Sequence, residues 1–231
     1  MYESSRSRFE SPPSPAGALL VAALCAVALA LTWVVAALVP ATHVKDAVAL
    51  YDFTLLGGPR ADDLANALLH LLDPALYILW GVLLIAAALW RQRPRVALAV
   101  AVVMGMAPLT AETLKPLLAH QHARIYGDEI SAASWPSGHA SAATALAICA
   151  VLVAPRHLRP TVALLGAIFA AAVGFSLLLL AWHLPSDVVG GYLVGTLWAA
   201  LAVAGLRAAE ARSRSRRLRG SGVRTMRAGV P

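Results

Sequence analysis

The chain has 231 residues, 59% of them hydrophobic and 13% charged, with a formal net charge of +7. Mean hydropathy is +0.70. A charged fraction about half that of soluble domains excludes an ordinary water-soluble globule. Several apolar runs reach the ~20 residues that cross a bilayer, so the sequence reads as an all-α, polytopic integral membrane protein. The positive charge does not signal nucleic acid. Arg207, Arg212, Arg214, Arg216, Arg217, Arg219, Arg224 and Arg227 follow directly on an apolar segment, with no aromatic residue to stack on a base. A positive-inside anchor with some attraction to anionic headgroups accounts for them. Cys25 and Cys149 both lie inside apolar runs, which implies no disulfide framework and no reactive thiol.

In chain order, six spans are expected, over residues 16–39, 64–90, 96–114, 137–154, 161–182 and 186–206. The first has too long an apolar stretch for a cleaved leader and is read as a retained helix. The connections sort by charge. Arg6 and Arg8, then Arg91, Arg93 and Arg95, then Arg156 and Arg159, and finally the tail all fall on one side, which the positive-inside rule makes cytoplasmic. Segments 40–63, 115–136 and 183–185 fall on the other. The chain therefore divides into a cytoplasmic tail (1–15), a six-helix membrane domain (16–206) and a basic cytoplasmic tail (207–231). Segment 40–63 is either an interfacial cover over a site entrance or a connector.

Three segments on the non-cytoplasmic face carry candidate chemistry. In Trp135-Pro136-Ser137-Gly138-His139, Ser137 is a good N-cap for the apolar run that follows, and His139 falls in the first helical turn. A helix start of this kind attracts anions, phosphate above all, and an imidazole beside it suits phosphoryl chemistry. Around His183, Ser176 lies seven residues earlier and shares a face with it if the fifth helix continues that far. Asp187 follows by four, across Pro185. A carboxylate at that range either holds one imidazole nitrogen and aims the other at substrate, or simply caps the sixth span. Lys115 stands at the outer end of the third span. It is either a point charge for phosphate, with Arg124 adding a fork, or a snorkelling partner of Glu112.

These segments, in this order and on one face, resemble the type 2 phosphatidic acid phosphatase (PAP2) superfamily, whose pattern is K-x6-R-P, then P-S-G-H, then S-R-x5-H-x3-D. The middle motif is intact as Pro136-Ser137-Gly138-His139, and Ser176, His183 and Asp187 keep the third motif's spacings. The resemblance implies a helical bundle with its active site at the outer ends of helices three to six. It implies that His183 attacks phosphorus to form a phosphohistidine, that Asp187 orients it, and that His139 protonates the leaving oxygen and then activates water. Lys115, Ser137, Gly138, Ser176 and an arginine would hold the phosphoryl oxygens, without metal or cofactor. Two positions depart from the pattern. His122 stands where the first arginine is expected, with Arg124 two residues later, and Leu177 replaces the arginine after Ser176.

The expected function is a metal-independent phosphatase acting on a lipid phosphate or diphosphate at the outer leaflet. A polyprenyl diphosphate is favoured over phosphatidic acid or phosphatidylglycerophosphate. A phosphotransferase on the same scaffold and a catalytically impaired binding protein are the alternatives. The expected partners are the lipid substrate and the bilayer, not nucleic acid. The expected location is the cell membrane, with both termini cytoplasmic and the site on the other side.

Overall fold

The computed structural model describes residues 14–120 and 130–227, with side chains described as far as residue 213 and at 215. Among the described residues the protein is entirely helical: α1 (Ala16–Leu38), α2 (Pro40–Thr54), α3 (Pro59–His70), α4 (Pro74–Trp90), α5 (Pro94–Leu117), α6 (Gly138–Val153), α7 (Arg159–Leu179) and α8 (Pro185–Arg227). Proline punctuates the chain. It opens α2, α3, α4, α5 and α8, where its fixed φ suits a first helical turn and its missing N–H would have had no partner.

Helices α1, α5, α7 and the Pro185–Ser213 part of α8 are long and apolar enough to cross a membrane. The span expected over 64–90 is two helices, α3 and α4, bent by 52°. The break falls at Leu71–Asp73, where Pro74 forces the preceding residue out of helical geometry and Asp73 adopts an extended ψ of 146°. The span expected over 137–154 is the apolar helix α6, 16 residues long. Segment 40–63 is not a bare connector: it forms α2 and the start of α3, and α2 packs against α1, α7 and α8. Beyond residue 206 there is no helix stop, and α8 runs on to Arg227 through the strong helix formers Ala208, Ala209, Glu210 and Ala211.

α6 is the centre of the bundle, packed against α4, α5, α7 and α8. Its buried face consists of small residues, among them Ala140, Ala143, Ala145 and Cys149. The facing surface of α8 carries glycines. A methyl group at Gly191 would lie 2.5 Å from the Ser137 carbonyl oxygen and 2.7 Å from Ala140 Cβ, and one at Gly195 would lie 2.7 Å from Thr144 Cβ. In lipid, helices associate through such close backbone approach rather than through water exclusion. Polar bonds between helices add to it: Trp198 Nε1 donates to Thr110 Oγ1 at 2.9 Å, and the Tyr77 and Tyr192 hydroxyls donate to the carbonyls of Met104 and Ala170. The result holds the N-terminal ends of α6 and α8 side by side.

Candidate active site

The site is built where those two helix starts meet. Ser137 caps α6 from an extended conformation (φ −66°, ψ 123°), its hydroxyl accepting the Ala140 N–H at 3.3 Å. Its own N–H donates to the Asp187 carbonyl at 2.9 Å, which ties the PSGH segment to α8. Gly138 leaves room for the end of α5. A methyl group there would stand 2.6 Å from Glu112 Oε1 and 3.7 Å from Lys115 Nζ. Lys115 pairs with Glu112 at 2.6 Å, so the expected intrahelical pair exists and is aimed at the α6 N-terminus.

Asp187 both meets an imidazole nitrogen and caps its helix. Its Oδ2 accepts the Leu184 N–H at 3.1 Å, in the way a capping-box residue reaches back to the start of its helix, and it also meets His183 Nδ1 at 3.2 Å. The side chain is fully buried, and among the described residues no donor reaches Oδ1. With Nδ1 engaged, His183 has Nε2 left for chemistry. His139 stands in the first turn of α6, its ring edge-on to Trp182 with centroids 5.9 Å apart. The charges of His183, Lys115, Asp73 and Glu112 all act on it. The structure thus brings together His139, His183, Asp187, Lys115, Ser137 and Gly138.

The condition on which Ser176 would share a helix face with His183 is not met. The fifth span, expected to reach residue 182, stops earlier: α7 ends at Leu179, Ala181 adopts φ 53°, and the N–H groups of Ala181 and Trp182 close on the carbonyls of Leu178 and Leu177. This is a Schellman stop with alanine in the position usually held by glycine. Ser176 is buried in the last turn of α7, and no continuous helix links it to His183. Leu177 is wholly buried in an apolar cluster with Leu50, Leu69, Ala143 and Val173. That position supplies packing, not charge. His122 and Arg124 lie outside the described residues.

Sequence reasoning passed over Asp46. From α2 it accepts both the N–H and the hydroxyl of Ser186, the residue next to Asp187. Burial, more than the nearby charge of Asp187, raises its carboxyl above the ordinary value, and the bonds from Ser186 act the other way. Asp73 was passed over too. Its signal, an Asp-Pro pair in the middle of an apolar run, was on view; Asp46 carried none, because only the tertiary fold brings α2 to the start of α8.

A family model of the PAP2 superfamily matches residues 22–210. Among solved structures, the fold is similar to the crystal structure of the first transmembrane PAP2-type phosphatidylglycerolphosphate phosphatase, from Bacillus subtilis. The TM-score is 0.62 at 21% sequence identity, over 82% of this chain and 94% of that one. No curated protein matches the sequence. With the family match running over most of the chain, and the PSGH and H-x3-D segments meeting at adjoining helix starts, this multi-pass membrane protein belongs to the PAP2 superfamily.

Proposed function

We propose that the protein is a membrane phosphatase that hydrolyses a lipid phosphate or diphosphate through a phosphohistidine. The observation that carries this reading is the buried Asp187–His183 pair, tied by the Ser137–Asp187 backbone bond to a capped helix start bearing His139. In the first step His183 Nε2 attacks phosphorus. The bond from phosphorus to the lipid oxygen breaks, and His139 delivers a proton to that oxygen. In the second step His139 takes a proton from water, the hydroxide attacks phosphorus, and the P–N bond breaks to return neutral His183 and free phosphate. Asp187 stabilises the imidazolium that forms between the steps. Lys115, the Ser137 hydroxyl and the Gly138 N–H hold the phosphoryl oxygens.

A long apolar substrate suits the surroundings. A cavity of about 580 Å3 between α2, α6, α7 and α8, lined by Phe53, Phe175, Leu178, Val188 and Tyr192, includes Pro185 at the start of α8. We favour a polyprenyl diphosphate, in a protein that crosses the membrane six times with both termini cytoplasmic and the site facing outward. The structural neighbour is a phosphatidylglycerolphosphate phosphatase, so a glycerolipid phosphate is the second substrate class to assay. The purified full-length protein should release phosphate from one of these lipids in the presence of chelator. His183→Ala should abolish release and the acid-labile phosphoprotein with it. Full turnover in that variant would overturn the mechanism.

A further inference from the structure

Six arginines gather at the end of the bundle opposite His183. Arg91 and Arg93 come from the α4–α5 turn and Arg95 from the start of α5, Arg156 from the α6–α7 turn and Arg159 from the start of α7, and Arg207 from α8. They line one cavity of about 920 Å3, whose single carboxylate is Glu210. Apolar residues of α5, α6 and α8 complete the wall. The two sites are separated by the length of α6, 16 residues or about 24 Å at 1.5 Å per residue.

Part of this cluster is structural. Arg93 donates to the Leu152 carbonyl at 3.0 Å and Arg159 to the Ala154 carbonyl at 3.4 Å, both at the negative end of α6. Arg95 donates to Ser213 Oγ at 3.0 Å and Arg207 to the Ser14 carbonyl at 3.4 Å. Each of these bonds fixes a guanidinium without neutralising it, and among the described residues none of the six forms an ion pair. Burial first, and then the charges of Arg159, Arg91 and Arg156, hold the Arg93 guanidinium below its ordinary pKa, although it stays protonated. Exposed Arg91 and Arg156 make no described side-chain bond. Topology alone asks for basic residues in loops on one side of the membrane; it does not ask that they converge on a recess with an apolar wall. Guanidinium forks over such a wall match a phosphodiester that carries acyl chains.

We propose that this recess binds the headgroup of an anionic phospholipid, its phosphate held by Arg91, Arg156 and Arg93 and its acyl chains lying against the apolar wall. The site is separate from the His183 centre and does not depend on the catalytic reading.

The test uses the full-length protein in neutral detergent, titrated with phosphatidylglycerol or phosphatidylcholine and followed by native mass spectrometry and thermal melting. Phosphatidylglycerol is expected to bind about one per chain, more tightly than phosphatidylcholine, and to raise the melting temperature. R91Q/R156Q should weaken phosphatidylglycerol binding about thirtyfold, R91K/R156K should weaken it less because the charge stays while the fork is lost, and H183A should retain it. A photoreactive phosphatidylglycerol should label the α4–α5 and α6–α7 turns of the wild-type protein, a readout that needs no variant to fold. Equal binding of the two lipids would overturn the proposal, as would wild-type affinity in R91Q/R156Q, loss of binding in H183A, or labelling at the His183 end. Equal stabilisation by inorganic pyrophosphate alone would overturn the assignment to a lipid.

Discussion

Replacing Asp187 with asparagine separates the two tasks this carboxylate performs. In the native protein one buried oxygen accepts from both His183 Nδ1 and the Leu184 N–H, while the other has no partner among the described residues. Asparagine offers a single acceptor oxygen and an NH2 group, and it has two ways to sit. With its oxygen in the place of Oδ2, both native bonds survive, but the NH2 enters the unpartnered buried position at a cost of about 1–3 kcal/mol. The negative charge that stabilises a His183 imidazolium is gone as well. With the amide reversed, the NH2 meets the Leu184 N–H donor to donor, and His183 Nδ1 must accept. The imidazole proton then moves to Nε2, the atom assigned to attack phosphorus. Both arrangements remove the driving force for the first step, and kcat should fall by about 10²–10⁴-fold while the fold loses only the stability given above. The assay is phosphate release from a lipid phosphate in detergent, run well below the melting temperature of both proteins, with a melt of each alongside. A D187N protein that melts a few degrees low yet keeps kcat within about threefold of wild type would refute the orienting role and leave Asp187 as a helix cap.

Four further outcomes are expected. Gly191→Ala places a methyl 2.5 Å from the Ser137 carbonyl oxygen and should cost about 1–3 kcal/mol in a melt, together with activity. Gly105→Ala, which meets nothing within 4 Å, is the control, and equal melts would refute the close-packing account. Glu112→Gln frees Lys115 from a pair whose acid is 59% exposed and which is worth about 0.5 kcal/mol, so KM should fall about twofold at unchanged kcat in steady-state kinetics; a rise in KM would contradict it. Leu177→Arg puts a charge into a closed apolar cluster and should destabilise the protein by several kcal/mol without raising activity, as a melt and a rate measurement would show; a stable, faster enzyme would mean that this position opens to phosphate. Because the Asp46 carboxyl is held above its ordinary 3.8, the folded state binds that proton more tightly than the unfolded state does. Wild-type stability relative to Asp46→Asn should therefore decline as pH rises from about 3.8 through the raised value, and a flat difference between the two melting curves across acid pH would refute this.

What was legible in the sequence was local. Ser137 as an N-cap, the x3 spacing of His183 and Asp187, and the gathering of Arg91, Arg93, Arg95, Arg156, Arg159 and Arg207 at one end all follow from nearest-neighbour chemistry or from the order of the spans, and the structure contains each of them. What was not legible depends on tertiary contact or on a local rule overridden by packing. The leucine run 177–180 carries no stop signal, yet α7 ends within it. Ala181 takes a left-handed conformation that costs a residue with a Cβ roughly 1–2 kcal/mol, and the turn that results carries Leu184 into the apolar cluster. The break between α3 and α4 was marked by Asp73-Pro74 but hidden by the apolar residues on both sides. Asp46 was beyond reach, since nothing in α2 itself indicates that its carboxylate meets Ser186, 140 residues away.

Under the proposed mechanism, the placement of Leu177 changes how charge is supplied to a bound phosphate. In the family pattern two arginines surround the phosphoryl group. Here one of those positions is sealed in the core, leaving Lys115 as the described cation that faces Gly138 and the α6 N-terminus. That lysine is already engaged by Glu112, but the pair is weak because its acid is largely in water. A charge-assisted bond to phosphate is worth about 1.5–3 kcal/mol, several times the value of the pair it replaces. On the proposed mechanism, phosphate would take Lys115 from Glu112 by exchange. Among the described residues, the proposed mechanism would leave the remaining stabilisation to groups already in place, the capped N-terminus of α6 and the Gly138 N–H. Among the described residues, such a cradle would lean on the position of one helix start. That is why the glycine contact between α6 and α8, remote from any reacting atom, is expected to matter to the rate as much as to the fold.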